Sequence, residues 1–247
     1  MEWQERDGLR WLRAHMPAAT AAFSTRVGGT GSGPFESLNL GLLTGDQPAV
    51  VRANRARLAD ALDREAGGML IGHQVHGTRV LRRERPPEPN PYAEDASPPR
   101  ADGQATANPG LTPIVQVADC LPVALAGAGA VAMIHCGWRG LANGIIERGV
   151  EEVGATAAAI GPGIGPCCYE VGEQVLVRFE SLGNGVSRGR MLNLSEVARR
   201  LLERVGVVET ESADICTSCE PKLFFSHRRD GPRTGRQGGL AWIDSVA

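Results

Sequence analysis

The sequence predicts an α+β or mixed-sheet α/β protein, read as a single domain with mixed β-sheets. Short apolar runs that read as strands alternate with amphipathic helical stretches, and two adjacent runs form an apparent hairpin. The length, 247 residues, suits one large domain or two small ones and is ample for a buried core.

Taken in order, "DQPAVVRANRARLADALD" predicts a helix, with Asp46 as cap, Pro48 in the first turn, and Val50, Val51, Asn54, Leu58 and Leu62 at helical spacing. "MLIGHQVHGTRVL" (69–81) reads as a strand that ends or bulges near Gly77. Residues 86–109 hold seven of the sixteen prolines and predict a surface loop. "TPIVQVA", "LPVALA" and "AVAMIH" follow as three strands. "GLANGIIERGVEEVG" carries one helical stripe of Leu141, Ile145, Ile146, Val150 and Val153. "ATAAAIG" reads as a strand, "EVGEQVLVRFE" as a helix, and "SEVARRLLERVG" as a helix capped by Ser195 and stopped by Gly206. The segment "LFFSHRRDGPRTGRQGGLAWI" mixes strand and turn residues.

Composition excludes several function classes. A net charge of −2 provides no global basic field for nucleic acid. The N-terminus is too charged for a secretory segment, and the most apolar window, Pro113–Trp138, is too interrupted to span a membrane. A cytoplasmic protein is expected. Lys222 is the only lysine, so "GGTGSG" (28–33) is not a phosphate-binding P-loop, and "GPGIGP" (161–166) reads as a turn after a strand. The six cysteines are expected as free thiols. Cys216 and Cys219 form a lone CxxC pair, and the adjacent Cys167 and Cys168 do not have the spacing of a second one.

The stretch "DCLPVALAGAGAVAMIHCGWRG" concentrates the chemistry. With a four-residue loop, Ala126–Gly129, Cys120 lies opposite His135, their Cβ atoms about 4.5–5.5 Å apart; a three-residue loop turns them to opposite faces. Pro122 asks for an edge or a bulge. The pair reads as two core residues, as ligands, or as nucleophile and base. On a regular strand His73 and His76 face opposite ways, so at most one joins. Two imidazoles, a thiolate and an open position make a plausible catalytic zinc set. Zinc would hold the sulfur deprotonated and bring a bound water to a pKa of about 7. Arg139, between glycines at a helix start, and Arg26, beside a glycine-rich loop with Asn39 downstream, are candidate anion ligands.

The ordered set "FSTRVGGTGSGPFESLNLG", "HQVHG", "ADCLPV", "HCGWRG", "AIGPGIGPCCYEVG" and "FFSHRRDGPRTGRQ" resembles the YfiH-like, or laccase-domain (polyphenol oxidase), family, described as purine nucleoside phosphorylases. The resemblance spans roughly residues 20–240. It implies four layers, α/β/β/α, similar to the catalytic domain of deamidating toxins, and a zinc site of His76, Cys120 and His135. It implies phosphorolysis of adenosine, inosine, guanosine and methylthioadenosine to base and sugar 1-phosphate, with deamination of adenosine. The partners are then purine nucleosides and phosphate, and the chain is expected to be a monomer. Cys120, His135, Arg26 and Arg139 are the catalytic candidates. Asn39, Glu170 and Arg228 are the candidates for substrate, and Glu170 or Asp119 for proton handling, although Asp119 reads equally as a buried acid bonded to backbone. Cys136, Cys167 and His73 depart from the family pattern and read either as competing ligands or as residues without a role. Five histidines without a His-x-His pair do not suit a multicopper oxidase. Copper would still bind such donors, so oxidase activity is expected only as side chemistry. Two alternatives stay open: a metal-free Cys–His amidase or deamidase, and a zinc-stabilised binding module without turnover.

Overall fold

A computed structural model describes residues 1–86 and 98–244 of the chain. The first sheet has the order β1 (Glu2–Arg6), β2 (Leu9–Met16), β3 (Ala19–Ser24), β14 (Gln237–Ile243), β7 (Thr112–Val117), β4 (Met69–Leu70). The second has the order β13 (Glu209–Ser212), β10 (Ala157–Ile160), β8 (Leu121–Gly127), β9 (Ala130–Cys136), β6 (Gly103–Thr106), β5 (Val80–Arg82). Both are mixed: β4 runs parallel to β7, β13 to β10 and β5 to β6, while the other pairs are antiparallel. A small ribbon of β11 (Ser187–Arg188) and β12 (Met191–Leu192) stands apart.

Strand alternation explains the layering. On β8 and β9, Ala124, Ala126, Val131 and Met133 point toward the first sheet and pack on Leu12, Phe23, Val115 and Val117. Their neighbours Val123, Leu125, Ala132 and Ile134 point the other way. They meet α3 (Ile145–Val153) and α5 (Leu194–Arg204), whose buried stripes are Ile145, Ile146 and Val153, and Leu194, Val197, Leu201 and Leu202. Each of these large aliphatic side chains contributes about 1.5–3 kcal/mol by leaving water. Outside the first sheet, α1 (Pro48–Ala61) seals a third cluster with Leu58 and Ala59 on Leu38, Leu40 and Trp242. The order is helix, sheet, sheet, helix.

Several local expectations change. The β8–β9 loop has two residues, Ala128 and Gly129, at φ 48° and 72°. That is the left-handed pair required by the tightest hairpin turn. Pro122, not Cys120, therefore faces His135. A shift of two residues preserves the face, so Cys120 still projects on His135's side. Pro122 is accommodated because it lies one residue past the last β10–β8 pair, Val123 opposite Ile160, where no ladder bond needs its missing N–H, while its carbonyl accepts from the Gly161 amide. Residues 71–79 form a loop, not a strand. Residues 87–97 of the proline-rich segment lie outside the described residues, and the segment's end is not a loop, since Gly103–Thr106 is the buried β6. The helix expected after Trp138 is broken at Gly144 (φ 95°) into α2 (Trp138–Ala142) and α3. The stretch after Gly172 gives only α4 (Glu173–Leu176) and a 3-10 turn. Gln47 and Asn193 cap α1 and α5 in place of Asp46 and Ser195; the Asn193 side chain accepts from the Glu196 amide. The C-terminal stretch opens with α6 (His227–Asp230) before β14. No described helix is long and apolar enough to cross a membrane.

Candidate metal centre and cavity

At the open end of the β8–β9 hairpin, the ligand atoms of His76, Cys120 and His135 all lie within 4.8 Å of one another. The His76 and His135 rings meet edge-on, with centroids 4.9 Å apart. His135 is buried on β9, Cys120 half-buried just before β8, and His76 exposed on the loop. Gly137 closes the back of the cluster: a Cβ there would lie 2.8 Å from Cys120 Sγ and 3.0 Å from the His76 ring.

Asp102, fully buried one residue before β6, organises this group. Its Oδ1 accepts from the His76 amide at 2.8 Å, its Oδ2 from the Gly77 amide at 2.8 Å, and both from the Val75 amide. This cradle lets His76 adopt φ 59°, a conformation unusual for a residue with a side chain. His135 Nδ1 donates to Asp102 Oδ1 at 2.9 Å. A carboxylate can only accept, so a proton sits on Nδ1 and Nε2 faces the cluster, able to ligate a metal once its own proton is lost. Burial opposes charge on Cys120 and His135, but each outweighs it for the other. His135, with help from His76, holds the Cys120 thiol down to about 6. The Cys120 thiolate and Asp102 carry His135 up to about 9. Two nitrogen donors, a thiolate and a carboxylate behind one histidine fit a single divalent ion.

The cluster opens into a cavity of about 850 Å³. Its cationic lining comes from Arg52 and Arg55 on α1, Arg139 on α2, Arg228 on α6, and Arg236, with Trp138 and Tyr169 among the aromatic walls. Arg139 stacks on Trp138 at 4.6 Å, and Arg228 lies 5.2 Å above Tyr169. Arg228 also donates to the carbonyls of Cys168 and Glu170.

The expected site residues divide into two groups. His76, Cys120, His135, Arg139 and Arg228 converge on the cavity. Arg26 does not line it; its guanidinium donates to the carbonyls of Glu36 and Pro221 and stacks on Phe225. Asn39 is fully buried, donates to Thr44 and Asp46, and accepts from the Gly41 and Arg236 amides, so it anchors the chain beside the cavity. The Glu170 carboxylate is exposed and paired with Arg190 at 3.0 Å. Asp119 lines the cavity, but its Oδ1 accepts from the Thr217 hydroxyl at 2.6 Å and its Oδ2 from the Arg228 amide at 2.8 Å. His73 also lines the wall, and Cys136 is core. Sequence reasoning missed Asp102, Tyr169 and Arg236. Asp102 stands inside a stretch read as loop, whereas Tyr169 and Arg236 lie within quoted motifs and needed only the geometry.

The family described as multi-copper polyphenol oxidoreductase laccase matches residues 20–244. The chain belongs to this family. Among its relatives are the purine nucleoside phosphorylase YfiH of Shigella flexneri, 37% identical over 92% of this chain and 96% of that one, and a purine nucleoside phosphorylase of Deinococcus radiodurans, 38% identical over 93% and 91%. The crystal structure of YlmD from Geobacillus stearothermophilus superposes with a TM-score of 0.86 at 34% identity, covering 98% of each chain. That of Bacillus licheniformis YfiH gives 0.87 at 30%, covering 98% and 99%. The mixed-sheet α+β fold is therefore the fold of these family members.

Proposed function

We propose that the chain cleaves purine nucleosides with phosphate at a zinc ion held by His76, Cys120 and His135, and that the same centre deaminates adenosine. One observation carries the reading: a two-imidazole, one-thiolate cluster opens directly into a cavity whose lining is rich in arginine. The names of the relatives support the phosphorolytic activity. A zinc ion supplies Lewis acidity and brings a bound water to a pKa of about 7.

The chain's own residues supply the rest. Phosphorolysis joins a phosphate oxygen to C1′ of the sugar while the C1′–N9 bond breaks and its electron pair passes to the purine. Phosphate must be brought to the sugar against its own hydration, and Arg139, Arg228 and Arg236 are the cations to hold it. Trp138 and Tyr169 offer aromatic faces to the base. Asp102 keeps His135 in one tautomer. Asp119 acts through Arg228, because both its oxygens are already engaged.

The Cys120–His135–Asp102 line also has the geometry of a nucleophile, base and orienting acid, which favours a metal-free amidase as the second reading. Incubation of zinc-replete protein with adenosine or inosine, with and without phosphate, separates the two. Phosphate-dependent release of base and ribose 1-phosphate, lost on chelation, is expected. An absence of nucleoside products, with acylation of Cys120 in metal-free protein, replaces the first reading by the second. Cys120→Ala is expected to abolish turnover with the fold kept; a binding module would instead unfold.

A further inference from the structure

Four of the six cysteines lie away from the cavity cluster, Cys168 and Cys216 at the border of the apolar core and Cys167 and Cys219 exposed. The Sγ atoms of Cys167, Cys168, Cys216 and Cys219 all lie within 4.8 Å of one another. Cys219 Sγ is 3.4 Å from both Cys167 Sγ and Cys168 Sγ. These separations far exceed a disulfide bond of about 2.05 Å. They approach the edge of about 3.8 Å that a tetrahedron with zinc–sulfur bonds of about 2.3 Å requires.

The pairing was obscured in the sequence because adjacent cysteines do not have a ligand spacing. The backbone resolves this. The Cys168 and Tyr169 amides both donate to the Gly165 carbonyl, so the chain turns tightly and sends both thiols the same way. The CxxC pair is also wound into a turn, with the Cys219 amide donating to the Cys216 carbonyl. The two turns are stitched together by the Gly163–Cys216 bridge, and the Gly165 amide donates to Cys216 Sγ at 3.2 Å. An N–H aimed at sulfur is the outer-shell contact that favours a ligating thiolate.

We propose that Cys167, Cys168, Cys216 and Cys219 form a second, structural zinc site with four thiolate ligands. Four soft donors select zinc over the hard divalent cations, and a closed four-ligand set leaves no position for substrate. The site ties together two segments with little regular structure that end at the cavity. Tyr169 follows Cys168 directly, and Thr217, between the paired cysteines, donates to Asp119 beside Cys120. Cys219 and Cys167 are exposed, so metal reaches the site from solvent without passing through the cavity. The inference is independent of the activity assigned to the cavity centre.

Metal analysis of the purified chain tests it. Two zinc equivalents per chain are expected, falling to one in Cys216→Ser/Cys219→Ser. In Cys120→Ser, which weakens the cavity set, cobalt(II) added to the apo-protein is expected to give the intense thiolate charge-transfer bands of a tetrahedral sulfur site and to raise Tm. Both responses should be absent when Cys216→Ser/Cys219→Ser is added. Should that variant fail to fold, native alkylation of the wild type serves: the four thiols should be protected with zinc and become reactive with chelator. Equal metal content in wild type and Cys216→Ser/Cys219→Ser, four thiols equally reactive with and without zinc, or a mass showing a disulfide among them would each overturn the proposal.

Discussion

Asp102 serves as one acceptor for two of the candidate ligands, gripping His76 through backbone amides and His135 through its ring. Asp102→Asn keeps the size but loses the charge and places an N–H where only acceptors fit. Zinc affinity, measured by competition with a chelator, is expected to fall about 10–100-fold, with the zinc-loaded fold retained. The metal-free protein offers a second residue-scale test. The Cys120 thiol is depressed, so its stabilising contribution is complete above the ordinary value of 9.0 and is lost as pH falls through about 6. His135 is raised, so its contribution is complete below 6.5 and is lost as pH rises through about 9. The thiolate–imidazolium pair is therefore populated between about 6 and 9. Alkylation of Cys120 in metal-free protein should show a midpoint near 6, and in His135→Ala the midpoint should move upward toward that of an ordinary thiol. An unchanged midpoint in His135→Ala would remove the pairing.

At the scale of elements, the β8–β9 turn sets how far each strand runs. A Cβ on Gly129 would meet nothing within 4 Å, so the cost of Gly129→Ala comes from its φ of 72° alone. Urea unfolding should report a loss of about 1–2 kcal/mol with metal content unchanged. Asn193→Ala, which removes the cap of α5, should cost about 0.5–2 kcal/mol in the same experiment. The hairpin also shows what local sequence discloses. The strands on either side are legible because apolar runs break at Gly127-Ala128-Gly129, but those glycines allow loops of two, three or four residues. The two-residue loop differs from the four-residue one by an even number and so keeps Cys120 on the face of His135, whereas the three-residue alternative would not. "MLIGHQVHGTRVL" reads as a strand by composition, yet its amides at 75–77 are claimed by Asp102, a partner 25 to 27 positions away. Neither that long-range acceptor nor the convergence of Cys167 and Cys168 on Cys216 and Cys219 has a periodic signal.

Over the whole molecule, many strands and helices were legible, whereas the layering of two sheets between helices was available only through resemblance to a known family, and the strand order within each sheet only from the structure. Alternation tells which residues are buried, not which sheet covers them. The same limit applied to the arginines. Arg26 and Arg139 looked equivalent beside their glycines, yet packing points Arg139 into the cavity and ties Arg26 to the carbonyls of Glu36 and Pro221. Arg236 lies within a quoted motif that does not single it out, and Asn39, by accepting from its amide, fixes its place on the wall.

This sorting yields a prediction about the field inside the cavity. Arg139, Arg228 and Arg236 reach it from three separate parts of the chain, and among the described lining residues the one carboxylate, Asp119, already accepts two hydrogen bonds. The lining is thus net positive, and concave walls that carry one sign of charge focus the field on an anion more than a flat surface would. Arg139→Ala, the change least entangled with backbone contacts, should raise KM for phosphate about tenfold or more, equivalent to about 1.4 kcal/mol, with a smaller effect on KM for the nucleoside. Arg26→Ala should lower Tm through the loss of its stacking on Phe225 and leave KM for phosphate within about twofold. If instead Arg26→Ala weakens phosphate and Arg139→Ala does not, the anion binds outside this cavity, and the arginines lining it serve packing alone.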